Sequence, residues 1–241
     1  GLWPLIWSSH TGGAPSLNTS EKPQAIIVNT VLTEPFRARG KVALRHSWER
    51  IIQGLIFLPR MLREYGKLDI VLTEVGDPLA RKMYTDLAGH AWIRFHAVPL
   101  TYPVENPAFL SGALRSSISS LNKEDPIWII DVHGVEAMGA FLAGGLPLHR
   151  RMVVAGGPGC PEPKHTWVRI GTPLSSLWGD VDEEEVLVLR GGLLLGTPVD
   201  PASDAVQYDD NGYFFLPEVT TREFLSFMRP GFDRTSYLPC F

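Results

Sequence analysis

What most constrains this chain is a repeated alternation. Short apolar runs are followed, again and again, by segments of helical spacing. The runs are Ala25-Ile26-Ile27-Val28-Asn29, Leu68-Asp69-Ile70-Val71-Leu72, residues 91–98, Ile127-Trp128-Ile129-Ile130-Asp131-Val132 and Arg151-Met152-Val153-Val154-Ala155. A run apolar at nearly every position suits a strand buried on both faces, as in a parallel sheet. After the first run, Ser47 is placed to cap a helix whose apolar positions Ile51, Ile52, Leu55, Leu58 and Leu62 share one face. Pro59 should shorten it and Gly66 should stop it. Residues 77–87, with Pro78 in the first turn, form a second helix by the same reading. Residues 107–117, capped by Asn106, form a third, and residues 134–142, closed by Gly144-Gly145, a fourth. Five strands alternating with helices predict an open parallel α/β sheet with right-handed crossovers.

The breaker cluster Gly156-Gly157-Pro158-Gly159 ends that rhythm. Shorter strands follow at 166–170, 186–189 and 213–216, with a short helix at 173–177 and a turn at 196–199. The acidic run 180–185 reads as a solvated turn or a helix start. Together these predict a compact α+β module. The residues before about Lys22, rich in Ser, Thr, Gly and Pro, read as an irregular lead-in. The expected organisation is an α/β domain over 1–157 and a small α+β domain with a C-terminal tail over 158–241.

Composition narrows the function. With 44% hydrophobic and 20% charged residues, wholesale disorder is excluded. A net charge of −4 leaves no basic field for nucleic acid. Cys160 and Cys240 are the only cysteines, too few for an iron–sulfur cluster or a four-cysteine zinc site, and read as reduced thiols. No apolar run reaches the roughly 18 residues that cross a bilayer. The apolar N-terminus has no basic start, so it is a poor signal peptide. It also has no initiator methionine, and a piece of a longer protein and a shortened relative of one are both open expectations.

In a parallel sheet, ligands bind beyond the carboxyl ends of the strands. The loop after Val28 reads Asn29-Thr30-Val31-Leu32-Thr33-Glu34-Pro35 and has no glycine before Gly40, so a conventional dinucleotide site there is not expected. No phosphate-binding G-x-x-x-x-G-K-[ST] loop occurs either. The loop after Val98 carries Tyr102, Glu105 and Asn106 to a helix N-terminus, where backbone N–H groups can meet an anion. His133 follows a strand end and precedes Gly134. The simpler role for His133 is a hydrogen bond to nearby backbone, and for Glu34 and Glu105 a helix cap or a surface carboxylate. No Ser-His-Asp set and no H-x-x-x-H pair is present. Trp92, Trp128 and Trp167 fall in strands and read as core; Trp3, Trp7 and Trp178 leave partner contact open. By residues alone, a cofactor-free subunit or binding module fits better than an independent enzyme.

The order of pieces resembles a known family. It runs from a Gly-Leu-Trp start to an exit at Arg151-Met152-Val153-Val154-Ala155-Gly156-Gly157-Pro158. Then come Trp167-Val168-Arg169-Ile170-Gly171-Thr172-Pro173-Leu174 and Leu189-Arg190-Gly191-Gly192-Leu193-Leu194-Leu195-Gly196. These, with the corner at residues 128–139, resemble the A subunits of the sodium-translocating NADH:quinone oxidoreductases. The resemblance covers nearly the whole chain, in order and spacing more than in identity. Two features depart from the family: Tyr102-Pro103-Val104-Glu105-Asn106-Pro107 stands in place of a His-Pro-Ala-Gly loop, and the family's leading barrel-sandwich domain has no counterpart. Wider relatives are the C subunit of the Rnf complex and the flavin subunit of respiratory complex I. Residues 28–35 resemble their flavin-loop position, without its glycines.

The resemblance implies a Rossmann-like sheet followed by a β-grasp, soluble-ligand-binding domain. It also implies a peripheral subunit on the cytoplasmic side of the inner membrane, with integral membrane subunits of a sodium pump as partners. No redox cofactor is expected on this chain. Quinone would be a substrate of the complex, and NADH and flavins would sit on other subunits. Asn29, Glu34, Tyr102, Glu105, Asn106 and His133 would orient a ligand rather than break bonds. A flavin- or NADH-binding module of an Rnf-like complex and a stand-alone small-ligand-binding protein are the alternatives.

Overall fold

The computed structural model describes residues 1–17, 22–38, 40–63, 67–73, 78–118, 121–178 and 185–218. The helix stop expected at Gly66, the helix start at Asp77, residues 180–184 of the acidic run and Cys240 lie outside the described residues.

Two five-stranded sheets organise the chain. The first holds β1 (Ile6–Ser8), β2 (Ala25–Asn29), β3 (Leu68–Thr73), β4 (Ile93–Val98) and β5 (Ile127–Asp131), in the spatial order β1-β5-β2-β3-β4. Strands β2 to β5 run parallel, while β1 closes one edge antiparallel to β5. From β2 the chain moves outward to β3 and β4, then returns to the other side of β2 to lay down β5. The direction of winding therefore reverses between β2 and β5. Helices α1 (Gly40–Phe57), α2 (Pro78–Leu87) and α4 (Val132–Gly144) cover one face, over Ile26, Val28, Ile70 and Ile130. Helix α3 (Pro107–Arg115) covers the other, over Ala25, Ile27, Val71 and Ile129. Both faces are buried, which is why these strands read as unbroken apolar runs.

Helices α1 and α4 cross with almost no space between their backbones. A Cβ on Gly139 would strike the Arg50 carbonyl, and one on Gly54 would strike the Val135 carbonyl. Arg50 pairs with Glu136 across this crossing at 3.1 Å. A helix does begin after Ser47, which is non-helical at φ −142° and ψ 25°; what was not expected is the helical stretch that precedes it and runs into it across this kink. Pro59 acts as expected: α1 gives way to a 3₁₀ turn at Leu58–Met61. Asp131 caps α4 by accepting from the Gly134 N–H at 2.6 Å, and Gly145 ends it in the left-handed region at φ 62°.

The second sheet holds β6 (Arg150–Gly156), β7 (Lys164–Arg169), β8 (Val186–Arg190), β9 (Thr197–Val199) and β10 (Gly212–Pro217), in the order β7-β6-β10-β8-β9. Central β6 and β10 are parallel; the other pairs are antiparallel. The short helix α5 (Ser175–Trp178) sets Trp178 against Tyr213 and Phe215, with ring centroids at 4.8 and 5.0 Å.

Three expectations change. The run 151–155 is a strand, but it lies in the second sheet beside β7 and β10, not in the parallel sheet. Apolar content marks a strand as buried without saying which sheet buries it. The lead-in is not irregular throughout, because Ile6, Trp7 and Ser8 pair with β5. Trp3 packs edge-to-face on Trp128 at 5.3 Å and donates to the Pro15 carbonyl at 2.7 Å. Residues 197–199, expected in a turn, form the edge strand β9, where Pro198 is tolerated.

Candidate functional site

The reversal between β2 and β5 opens the strand ends where a fold of this kind offers a ligand crevice. Asn29 ends β2, and its side chain is spent locally. Its Oδ1 accepts from the Val31 N–H at 3.0 Å, and its Nδ2 donates to the Glu105 carbonyl at 3.2 Å. Thr30 donates its hydroxyl to the Val71 carbonyl at 2.7 Å. The loop after β2 is thus pinned to β3 and to the loop after β4.

Glu105 is buried at the centre. Its Oε2 accepts from the Thr33 N–H and from the Glu34 N–H, the latter at 3.0 Å. Its Oε1 lies 3.7 Å from Arg37 Nη1. Glu34 is fully buried, and its carboxylate points the other way, into the second sheet's loop. Oε1 accepts from the Leu194 N–H at 2.6 Å and the Leu195 N–H at 3.3 Å. Gly192 is required beside it. At φ 126° any other residue is strained, and a Cβ there would sit 2.5 Å from Glu34 Cγ and Oε1. Among the described residues Thr33 Oγ1, Glu34 Oε2, Thr73 Oγ1, Glu105 Oε1 and Asn211 Nδ2 are buried without a hydrogen-bond partner. The crevice is therefore polar, acidic and tightly closed.

The other anticipated residues take different places. Tyr102 lies at the rim, 42% exposed, after β4 and before a cis peptide bond to Pro103. Loss of solvent and the nearby Glu34 and Glu105 carboxylates push its phenol upward from 10.0. Asn106 caps α3, its Oδ1 accepting from the Ala108 and Phe109 N–H groups at 3.0 and 3.3 Å. His133 is buried in the first turn of α4, and its Nε2 lies 2.7 Å from the Ala38 carbonyl. Burial lowers its pKa below 6.5. The structure thus brings Asn29, Glu34, Glu105 and Tyr102 together, and uses Asn106 and His133 to hold helix and loop in place.

Sequence reading missed three participants. Arg37 donates from Nε to Asn211 Oδ1 at 2.7 Å and links Glu105 to the second sheet. Phe36 sits at φ 62°, its ring tilted against Phe214 with centroids at 4.5 Å. The Leu194 and Leu195 N–H groups bind Glu34. None is near its partner in sequence, so no spacing could reveal it. No group of His, Cys, Asp or Glu among the described residues could hold a metal ion, and no described helix is long and apolar enough to cross a membrane.

No protein-family model matches the chain. Curated relatives do. The A subunit of the Na(+)-translocating NADH-quinone reductase of Rhodopirellula baltica is 26% identical over 238 residues, 98% of this chain and 49% of that protein. Its counterpart in Neisseria meningitidis serogroup C is 24% identical over 237 residues, 98% of this chain and 50% of that protein. This chain is similar to those A subunits along almost its whole length. The C subunit of the ion-translocating oxidoreductase complex of Vibrio cholerae is 25% identical over 189 residues, 73% of this chain and 23% of that protein. The family resemblance carried by the sequence thus agrees with these matches. The chain spans about half the length of the A-subunit relatives. Among solved structures, an NAD+-reducing [NiFe]-hydrogenase in the air-oxidised state aligns with TM-score 0.52 at 14% identity. It covers 80% of this chain and 40% of that one, a likeness of fold.

Proposed function

We propose that this chain is a peripheral subunit of a sodium-translocating NADH:quinone oxidoreductase that contributes quinone-side binding or assembly and carries no redox cofactor of its own. The A-subunit relatives support the complex, and the sheet orders support the two-part fold. In the first sheet, reversal of winding beside β2 is the pattern of a Rossmann-like half. In the second, the hairpins β6–β7 and β8–β9 flank β10, which runs parallel to β6, as in a β-grasp unit.

The observation that carries the reading is the occupant of the crevice. The N–H groups of Thr33 and Glu34, in the loop after β2, already donate to the Glu105 carboxylate. A flavin or dinucleotide phosphate brought there meets engaged donors and two carboxylates, a like-charge arrangement that disfavours it. On this reading NADH and flavins act on other subunits, on the cytoplasmic side of the inner membrane, and integral membrane subunits of the pump are the partners. The similarity to an Rnf-type C subunit favours one competitor, a flavin- or NADH-binding module. Absorbance and fluorescence of the purified chain, before and after FMN and NADH, separate the two. A protein-only spectrum without response is expected. A flavin band, or saturable quenching of FMN, overturns the cofactor-free reading.

A further inference from the structure

A second concave site lies away from the crevice. Gly156, at the end of β6, abuts Phe36 near the strand ends. Arg150 begins the same strand, about 20 Å along it at the usual rise per residue. There Arg45, His46, Ser47, Trp48, Glu49 and Arg50 from α1 face Arg150 and Trp167, enclosing a groove of about 450 Å³. That size suits a small ligand.

Several observations make the groove cationic and firm. Arg45 is exposed, and its side chain makes no hydrogen bond or ion pair among the described residues. Arg150 lies over the Trp167 ring, 5.2 Å from its centroid, a contact that orients the guanidinium without neutralising it. Arg50 is fixed by Glu136 at 3.1 Å, and its backbone is locked by the close approach of Gly139. Arg45, Arg50 and Arg150 outnumber the nearby Glu49 and Glu136, in a chain whose net charge is −4. The break at Ser47 gives the second half of α1 a start of its own inside the lining, and a helix start favours negative charge. Guanidinium forks match phosphate oxygens in pairs, and Lys82, over the Trp48 ring at 4.7 Å, adds a further cation against a residue of the lining.

We infer that this groove binds a phosphate-bearing anion, held by Arg45 and Arg150 against Trp167. Phosphate could reach it as a soluble ester or as a lipid headgroup. Calorimetric titration of the whole chain with sodium pyrophosphate tests the shared chemistry. Saturable binding that weakens with added salt is expected. It should weaken at least ten-fold in the double variant Arg45→Gln, Arg150→Gln and stay unchanged in Arg81→Gln, an exposed arginine of α2. Sedimentation with phosphatidylcholine vesicles, with and without phosphatidylglycerol, separates the sources. Capture that needs phosphatidylglycerol and is lost in the double variant assigns a lipid; pyrophosphate binding without capture assigns a soluble ligand. No saturable heat, or binding that the double variant leaves intact, overturns the proposal. Circular dichroism of each variant shows that it is folded.

Discussion

Glu34 is the residue on which most of the junction turns. Its Oε1 is the acceptor for the Leu194 and Leu195 N–H groups, while its own N–H is held by Glu105. Glu34→Ala should cost about 2–3 kcal/mol in urea denaturation, the usual range when bonds to a charged acceptor are lost and donors are left unpaired. Amide exchange should quicken at Leu194 and Leu195 before it does elsewhere. His133 sets a pH limit. It is buried, and its neutral Nε2–H tautomer donates to Ala38. The unfolded chain takes up that proton near 6.5, whereas the folded chain does so only at lower pH. Between those values the unfolded state binds more protons, so stability falls as pH drops below about 6.5. Thermal melts should show this decline, and His133→Gln, less stable at neutral pH, should show a shallower one. Asn29, Glu34 and Glu105 were legible as strand-end residues because parallel strands advertise their carboxyl ends. Arg37 and Asn211, 174 positions apart, were not.

The α1–α4 crossing is the element-level counterpart. Gly54 and Gly139 let the two helices touch backbone to backbone, and both sit within otherwise ordinary helical sequence. Gly139→Ala gains helix propensity yet should destabilise by about 3 kcal/mol, because the added methyl strikes the Arg50 carbonyl and overpacking outweighs propensity. Chemical denaturation of the variant measures it. The helices and long strands were readable because their periodicity is local. What stayed hidden was partnership. The run at β6 is as apolar as those in the first sheet, and only its register with β7 and β10 assigns it elsewhere. Strands β1 and β9, each three residues long, offer too little pattern to stand out from loops of the same composition.

Across the whole molecule, the loop after β2 is the mechanical link between the sheets. Phe36 packs against Phe214, Arg37 and the Ala38 N–H bind Asn211, and Glu34 holds the β8–β9 loop. The two sheets should therefore unfold as one cooperative unit. Trp128 lies in the core of the first sheet and Trp178 in that of the second, and with five further tryptophans in the chain each must be read by its own resonance. With fluorotryptophan incorporated, the fluorine NMR resonances of Trp128 and Trp178, assigned by loss in Trp128→Phe and Trp178→Phe, should follow coincident denaturation transitions; separate midpoints would show that the sheets part before they melt. The Glu105 carboxylate gives this link a second meaning. It is an anion carried on the chain itself and seated on the donors of the loop after β2. A freely diffusing phosphate must compete with a rival whose effective concentration is set by the fold and never dilutes. The crevice is in this sense permanently liganded by its own polypeptide.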